Sequence, residues 1–333
     1  MAVYTTIDDP SAYFKVQLYT GNGSANHSIT FDDTDTDMQP DLVWIKNRAQ
    51  ADANQLIDSV RGVTKTLDSD GDGAEVTDTD TLDAFESDGF RVDADVKVNT
   101  NTENYVAWCW KESATSGLDI VTYTGNATAR TISHNLSAVP HTIWCKERTA
   151  NAPFGNQAWS IYHKSITANK YMVLNSDQAQ ADSTEDFNDT DPTSSVFTVG
   201  NGNRTNASSG SQLAYVFAPI QGFSKFGSYE GNANVDGTFV YTGFRPACVI
   251  VKDADGSSQW RIFDNKRGYN GAISYQYPSA TTTESTGEAH MNFYSNGFKL
   301  EKTDDSNAAN TYLYWAWAES PFVNSNGVPN NAR

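Results

Sequence analysis

The sequence predicts an all-β protein of three tandem antiparallel β-sandwich modules, jelly-roll or lectin-like in type. Three observations carry this. A run dense in Tyr, Trp and Val with two-residue alternation, Asn310 to Glu319, returns as Asn104 to Glu112 and more weakly as Leu213 to Pro219. Such a run reads as a strand between two apolar layers. Four landmarks recur in the same order after roughly 105 residues, far longer than a solenoid period, so each unit is expected to close its own core. Short strand-like runs also alternate with Gly, Asn, Asp and Ser turns, and no stretch shows helical periodicity.

A polar leader, residues 1–13, contains the turn signal Asp8-Asp9-Pro10-Ser11. Each unit then opens on a strand ending in Tyr: Phe14 to Tyr19, Leu118 to Tyr123 and Phe226 to Tyr229. A Gly follows at Gly21, Gly125 and Gly231, suited to the turn. The next strand starts at a Pro and reaches a Lys: Pro40 to Lys46, Pro140 to Lys146 and Pro246 to Lys252. Pro is tolerated at a strand start, where one lost N–H matters little. The third landmark is Asp58-Ser59-Val60-Arg61-Gly62, matched by Asp264 to Gly268; the middle unit has Ile161-Tyr162-His163-Lys164 there, without the Asp and Gly. The fourth is a hairpin signal, Ser87-Asp88-Gly89 and Ser295-Asn296-Gly297. The Trp-rich strand closes the first and third units, and its weaker echo, Leu213 to Pro219, closes the second. The divisions are a leader 1–13, modules 14–116, 117–222 and 223–320, and a strap 321–333 expected to order against a neighbouring unit, subunit or particle.

Net charge is -18, which argues against a nucleic-acid backbone or an anionic membrane as partner. No apolar run approaches the ~20 residues of a spanning helix. The first residues have neither the basic region nor the apolar core of a secretory signal. Cys109, Cys145 and Cys248 are an odd count without paired spacing, so they read as buried thiols of a reducing cytoplasm rather than disulfides or zinc ligands.

Candidate chemistry is sparse. Asp68-Ser69-Asp70-Gly71-Asp72-Gly73 starts like a calcium loop, with oxygen ligands at alternate positions. Its twelfth position is Thr79 instead of a bidentate Glu, and neither other unit repeats it, so a solvated acidic hairpin tip is the competing reading. Asp58 with Arg61, and Asp264 with Arg267, are candidate glycan or partner contacts, with a turn-stabilising ion pair as the alternative. No two of the five histidines stand at i, i+2 or i, i+4, and no nucleophile elbow or phosphate loop is present, so no enzyme is expected.

The leader from Thr5 to Phe14, the Tyr-Thr-Gly-Asn openings, Asp58 to Lys65, and the close from Trp315 to Arg333 resemble virion structural proteins of marine tailed bacteriophages, built of tandem repeats of a poorly characterised β domain. The resemblance spans nearly the whole chain and lends no catalytic residues. It implies a non-enzymatic component of the particle, assembled in the bacterial host cytoplasm and exposed as a capsid decoration or fibre, or as a tail fibre or spike. Its role would be particle stability or host adhesion. The partners expected are other virion proteins, a homo-oligomer (a trimer by analogy) and a host surface glycan. A lectin-like receptor-binding module is the alternative, followed by a polysaccharide depolymerase.

Overall fold

Strands follow one another along the chain, as the period-two runs require. The computed structural model describes residues 4–31, 36–150, 155–268, 273–287, 290–303 and 306–329. The first repeat holds β1 (Phe14–Thr20), β2 (His27–Thr30), β3 (Leu42–Asn47), β4 (Gln55–Asp58), β5 (Lys65–Asp68), β6 (Val76–Thr77), β7 (Leu82–Glu86), β8 (Gly89–Val92) and β9 (Asn104–Trp110). The second holds β10 (Leu118–Thr124), β11 (Arg130–Ser133), β12 (Thr142–Glu147), β13 (Ser160–His163), β14 (Lys170–Val173), β15 (Ala181–Asp182), β16 (Val196–Val199) and β17 (Ser211–Phe217). The third holds β18 (Ser224–Glu230), β19 (Phe239–Tyr241), β20 (Phe244–Asp253), β21 (Arg261–Asp264), β22 (Tyr275–Gln276), β23 (Met291–Tyr294), β24 (Gly297–Leu300) and β25 (Thr311–Pro321). Among the described residues the α-helices are single turns at Val96–Asn99, Thr184–Phe187 and Asn203–Asn206.

The larger sheets run β1-β9-β3-β4-β5-β6, β10-β17-β12-β13-β14-β15 and β18-β25-β20-β21-β22. The smaller ones are β2-β8-β7, β11-β16 and β19-β24-β23. Pairing is antiparallel and no sheet closes into a barrel. The order is the same in each repeat, with the Trp-rich strand second. Register agrees too. Tyr19, Tyr123 and Tyr229 lie opposite Tyr105, Gln212 and Tyr312. Lys46, Lys146 and Lys252 lie opposite Val106, Leu213 and Leu313.

The core departs from expectation. Alternation along the Trp-rich strand makes two apolar faces. On β9, Tyr105, Ala107 and Cys109 join a cluster with Ile29, Phe90 and Val92 of the small sheet. The other face, Val106, Trp108 and Trp110, belongs to a cluster that also holds Trp144 and Tyr215 of the second repeat and Trp260, Trp315 and Trp317 of the third. The repeats therefore share one central core, while the first and second each keep a cluster of their own beneath the small sheet. Trp44 meets Trp144 edge-on at 6.0 Å, Trp144 meets Trp315 at 6.5 Å, and Trp110 meets Trp317 at 5.2 Å. Such ring pairs add to the area they bury.

The leader and the strap meet on the third repeat. The Gly243 carbonyl accepts from the Tyr4 hydroxyl at 2.9 Å and from the Phe322 N–H at 3.2 Å. The Ser325 N–H donates to Asp8 at 2.6 Å. The strap thus packs on the leader and the third repeat; residues 330–333 lie outside the described residues.

Candidate functional site

The Asp-x-x-Arg-Gly turns are built locally. Asp58 accepts from the Arg61 N–H at 2.8 Å and ion-pairs with its Nε, while Arg61 Nη2 donates to the Leu56 carbonyl at 2.9 Å. Gly62 follows at φ 100°, a conformation that suits glycine. Asp264 and Arg267 repeat the pattern, with the Arg267 N–H at 3.1 Å and the ion pair at 2.7 Å. All four side chains have 0% exposure. They form the turn-stabilising ion pairs, and no part of these side chains is exposed for a glycan or partner to touch.

What buries them is the neighbouring repeat. The Tyr215 hydroxyl donates to Asp58 at 2.8 Å and accepts from Arg61 at 3.1 Å. Trp108 Nε1 donates to Asp264 at 3.1 Å, and the Arg267 guanidinium lies 5.2 Å from the Trp108 ring. Opposite β12, His163 holds the register position that Asp58 and Asp264 hold in theirs. It stacks edge-on against Trp315 at 4.8 Å, and Trp315 Nε1 donates to Thr142 at 2.9 Å. Burial lowers the His163 pKa to about 3, so it packs as a neutral ring. The middle repeat has exchanged an ion pair for an aromatic contact at the same joint.

These joints are cyclic: first repeat on second, second on third, third on first. Two further sets follow the same order. The Glu75 N–H donates to the Arg148 carbonyl at 2.8 Å, Gln180 to Ala254 at 2.9 Å, and Glu284 to Arg48 at 3.0 Å. Two of these carry a forked ion pair, Arg148 on Glu75 and Arg48 on Glu284. Burial opposes ionisation of Glu75 and Glu284, yet the two guanidiniums at each hold them below the usual carboxylate range. At the third level, Trp159 Nε1 donates to the Asp68 carbonyl, Trp260 Nε1 to the Val173 carbonyl, and Asn54 Nδ2 to the Ala280 carbonyl, at 2.9, 2.9 and 3.1 Å. The sequence reading missed this set. Its one local trace was Lys46-Asn47-Arg48 beside Lys146-Glu147-Arg148.

The acidic loop belongs to the same joint. Asp70 accepts from the Asn54 N–H at 2.6 Å, Asp68 accepts from Gln55, and the Asp72 carbonyl accepts from Lys146 Nζ at 3.0 Å. Lys146 also donates to the carbonyls of Glu147 and Gln157. Among the described residues no group of three or more His, Cys, Asp or Glu comes together to hold a metal ion. This corrects Asp68, Asp70 and Asp72 as a calcium site. Asp70 and Asp68 are taken by Asn54 and Gln55, and the cation at the Asp72 carbonyl is the Lys146 ammonium. Lys46 and Lys252 sit at the equivalent step, each donating to two carbonyls. The three thiols are buried, and burial raises each pKa, so none is poised as a nucleophile.

Solvent-accessible space remains where the first strand of one repeat meets the next repeat. A cavity of about 180 Å³ lies between β1 and the start of β20, and a groove of about 430 Å³ between β18 and the start of β12. A family model described as a domain of unknown function, DUF7483, matches residues 9–321. No curated protein matches the chain.

Proposed function

As the chain belongs to the DUF7483 family, we propose from its own residues that it is a non-enzymatic structural protein of a tailed-phage particle. In this reading three β-sandwich modules of jelly-roll type form a capsid decoration, or the head of a fibre or spike. The supporting observation is where the chemistry-bearing residues lie. The Asp58 and Asp264 ion pairs, Lys146, His163 and the tryptophans at the joints all contact a neighbouring repeat. That is the use expected of a part selected for persistence. The charge of -18 suits a surface that must stay dispersed. The resemblance in the leader and the close supplies the particle.

Other virion proteins are the partners in this reading. The trimer suggested by analogy with phage fibres has less to gain from the inner sheet faces, because three repeats in one chain already cover them. A second reading, a lectin-like module, is favoured by the aromatic groove taken up below. The test is to purify intact particles of a phage encoding the chain and localise it with a tagged copy by electron microscopy. The proposal expects the chain in fixed stoichiometry on the particle surface. Its absence from purified particles, with the protein found free in lysate, overturns the proposal.

A further inference from the structure

We propose that the groove between the second and third repeats is a saccharide-binding site that takes a neutral pyranose ring, with Tyr241 as its platform. The inference does not depend on where the chain is assembled.

Comparison of the repeats carries it. Each small sheet has a strand with a buried aliphatic residue set opposite a Phe: Ile29 opposite Phe90, Ile132 opposite Phe197, Val240 opposite Phe298. The residues on either side point to solvent. They are Ser28 and Thr30 in β2, and Thr131 and Ser133 in β11. In β19 they are Phe239 and Tyr241, 45% and 48% exposed. The fold is satisfied by small hydroxyl residues at these positions, as two repeats show. Exposed aromatics on a sheet edge are instead a liability for self-association. Phe239 packs on Tyr294 and Tyr241 meets Tyr4, yet both rings keep nearly half their surface open, and neither other repeat carries an aromatic residue at these positions.

The three equivalent clefts differ in the same way. Between the first and second repeats Glu112 bridges the corresponding strands. Its carboxylate accepts from the Ile120 N–H, and its own N–H donates to Asp41, both at 2.8 Å. Between the third and first, the cavity is small, about 180 Å³. The cleft between the second and third is more than twice that volume and has Tyr241 in its wall. Its size falls within the range of small-ligand sites.

The lining selects the ligand class. Tyr241 is held by a hydroxyl contact of 3.2 Å with Tyr4, and Lys225 Nζ donates to its carbonyl at 2.7 Å. The same ammonium lies 5.4 Å from the Tyr241 ring, so this cation is already engaged. The wall also carries the imidazole of His141 and the exposed amide of Gln221. Burial lowers the His141 pKa, leaving a neutral ring. None of the chain's 41 Asp and Glu residues is among the described lining residues. The described lining therefore presents no carboxylate to a metal or a cationic ligand. An apolar ring face beside neutral donors and acceptors matches the C–H face and hydroxyls of an uncharged sugar.

The test uses the full chain and the variant Tyr241→Thr, which installs a residue type that the other repeats carry at this position. The probes are oligosaccharides of glucose, galactose and mannose, with sulfated and uronate-containing sugars as a separate arm. Binding is read by ligand-observed saturation-transfer NMR and titration. The proposal expects at least one neutral sugar to bind and Tyr241→Thr to weaken it about tenfold or more, with the thermal midpoint unchanged. Absence of binding to every neutral sugar, binding of the charged arm alone, or equal binding by the variant would each overturn it.

Discussion

Asp58 and Arg61 lie without solvent exposure under Tyr215, and Asp264 and Arg267 lie the same way under Trp108. Removing one member of such a pair strands the other as an uncompensated charge, at a cost of ~3–5 kcal/mol. Arg61→Leu should therefore lower the unfolding free energy, read from urea titration, by that amount. Arg91→Leu should change it by less than ~1 kcal/mol, because the Arg91 pairs with Asp83 and Glu86 are partly solvated. Similar effects of the two changes would mean that the Asp58 pair is reached by water. The i, i+3 spacing made the ion pair legible in the sequence. Its depth was not, because the group that covers it is Tyr215, more than a hundred residues away. The acidic loop misled for the same reason. Alternating Asp residues look like ligands until Asn54, Gln55 and Lys146 claim their oxygens.

At the scale of strands, the landmarks at matching steps do occupy matching strands. Period-two patterning, the Pro-to-Lys runs and the Asp-Gly turn were enough to place β3, β12 and β20, and β8 with its hairpin. The middle repeat was harder to read because its joint uses His163 and Thr142 where the others use Asp and Arg. Lys46, Lys146 and Lys252 end those strands with buried ammonium groups whose pKa values burial lowers from 10.5 to about 8. Between those values the unfolded chain binds more protons than the folded one, so stability rises with pH. The contribution is complete above 10.5 and is lost as the pH falls through 8. The urea midpoint should climb from pH 8 to pH 10, and Lys146→Met should flatten the climb. A wild-type midpoint that is level across this range, or a climb unaltered by Lys146→Met, would contradict the assignment.

At the scale of the whole molecule, three repeats were legible and their mutual arrangement was not. A Trp-rich strand with two apolar faces needs two covers. The sequence of one repeat contains only one, the small sheet, and periodicity does not say what supplies the other. In the structure it is the other two repeats, joined in a closed cycle by Tyr215, Trp315 and Trp108 and by the main-chain bonds from Glu75, Gln180 and Glu284. With this cover coming from its neighbours, no repeat should fold as a unit by itself. The direct measurement is thermal unfolding of an isolated fragment, residues 117–222, followed by near-ultraviolet circular dichroism beside the full chain. Cut free, the fragment exposes Trp144, Trp159, Tyr215 and Phe217, which the intact chain buries. It should show neither a fixed aromatic signal nor a cooperative transition. A sharp transition near that of the intact protein would contradict the shared core and restore three independent domains.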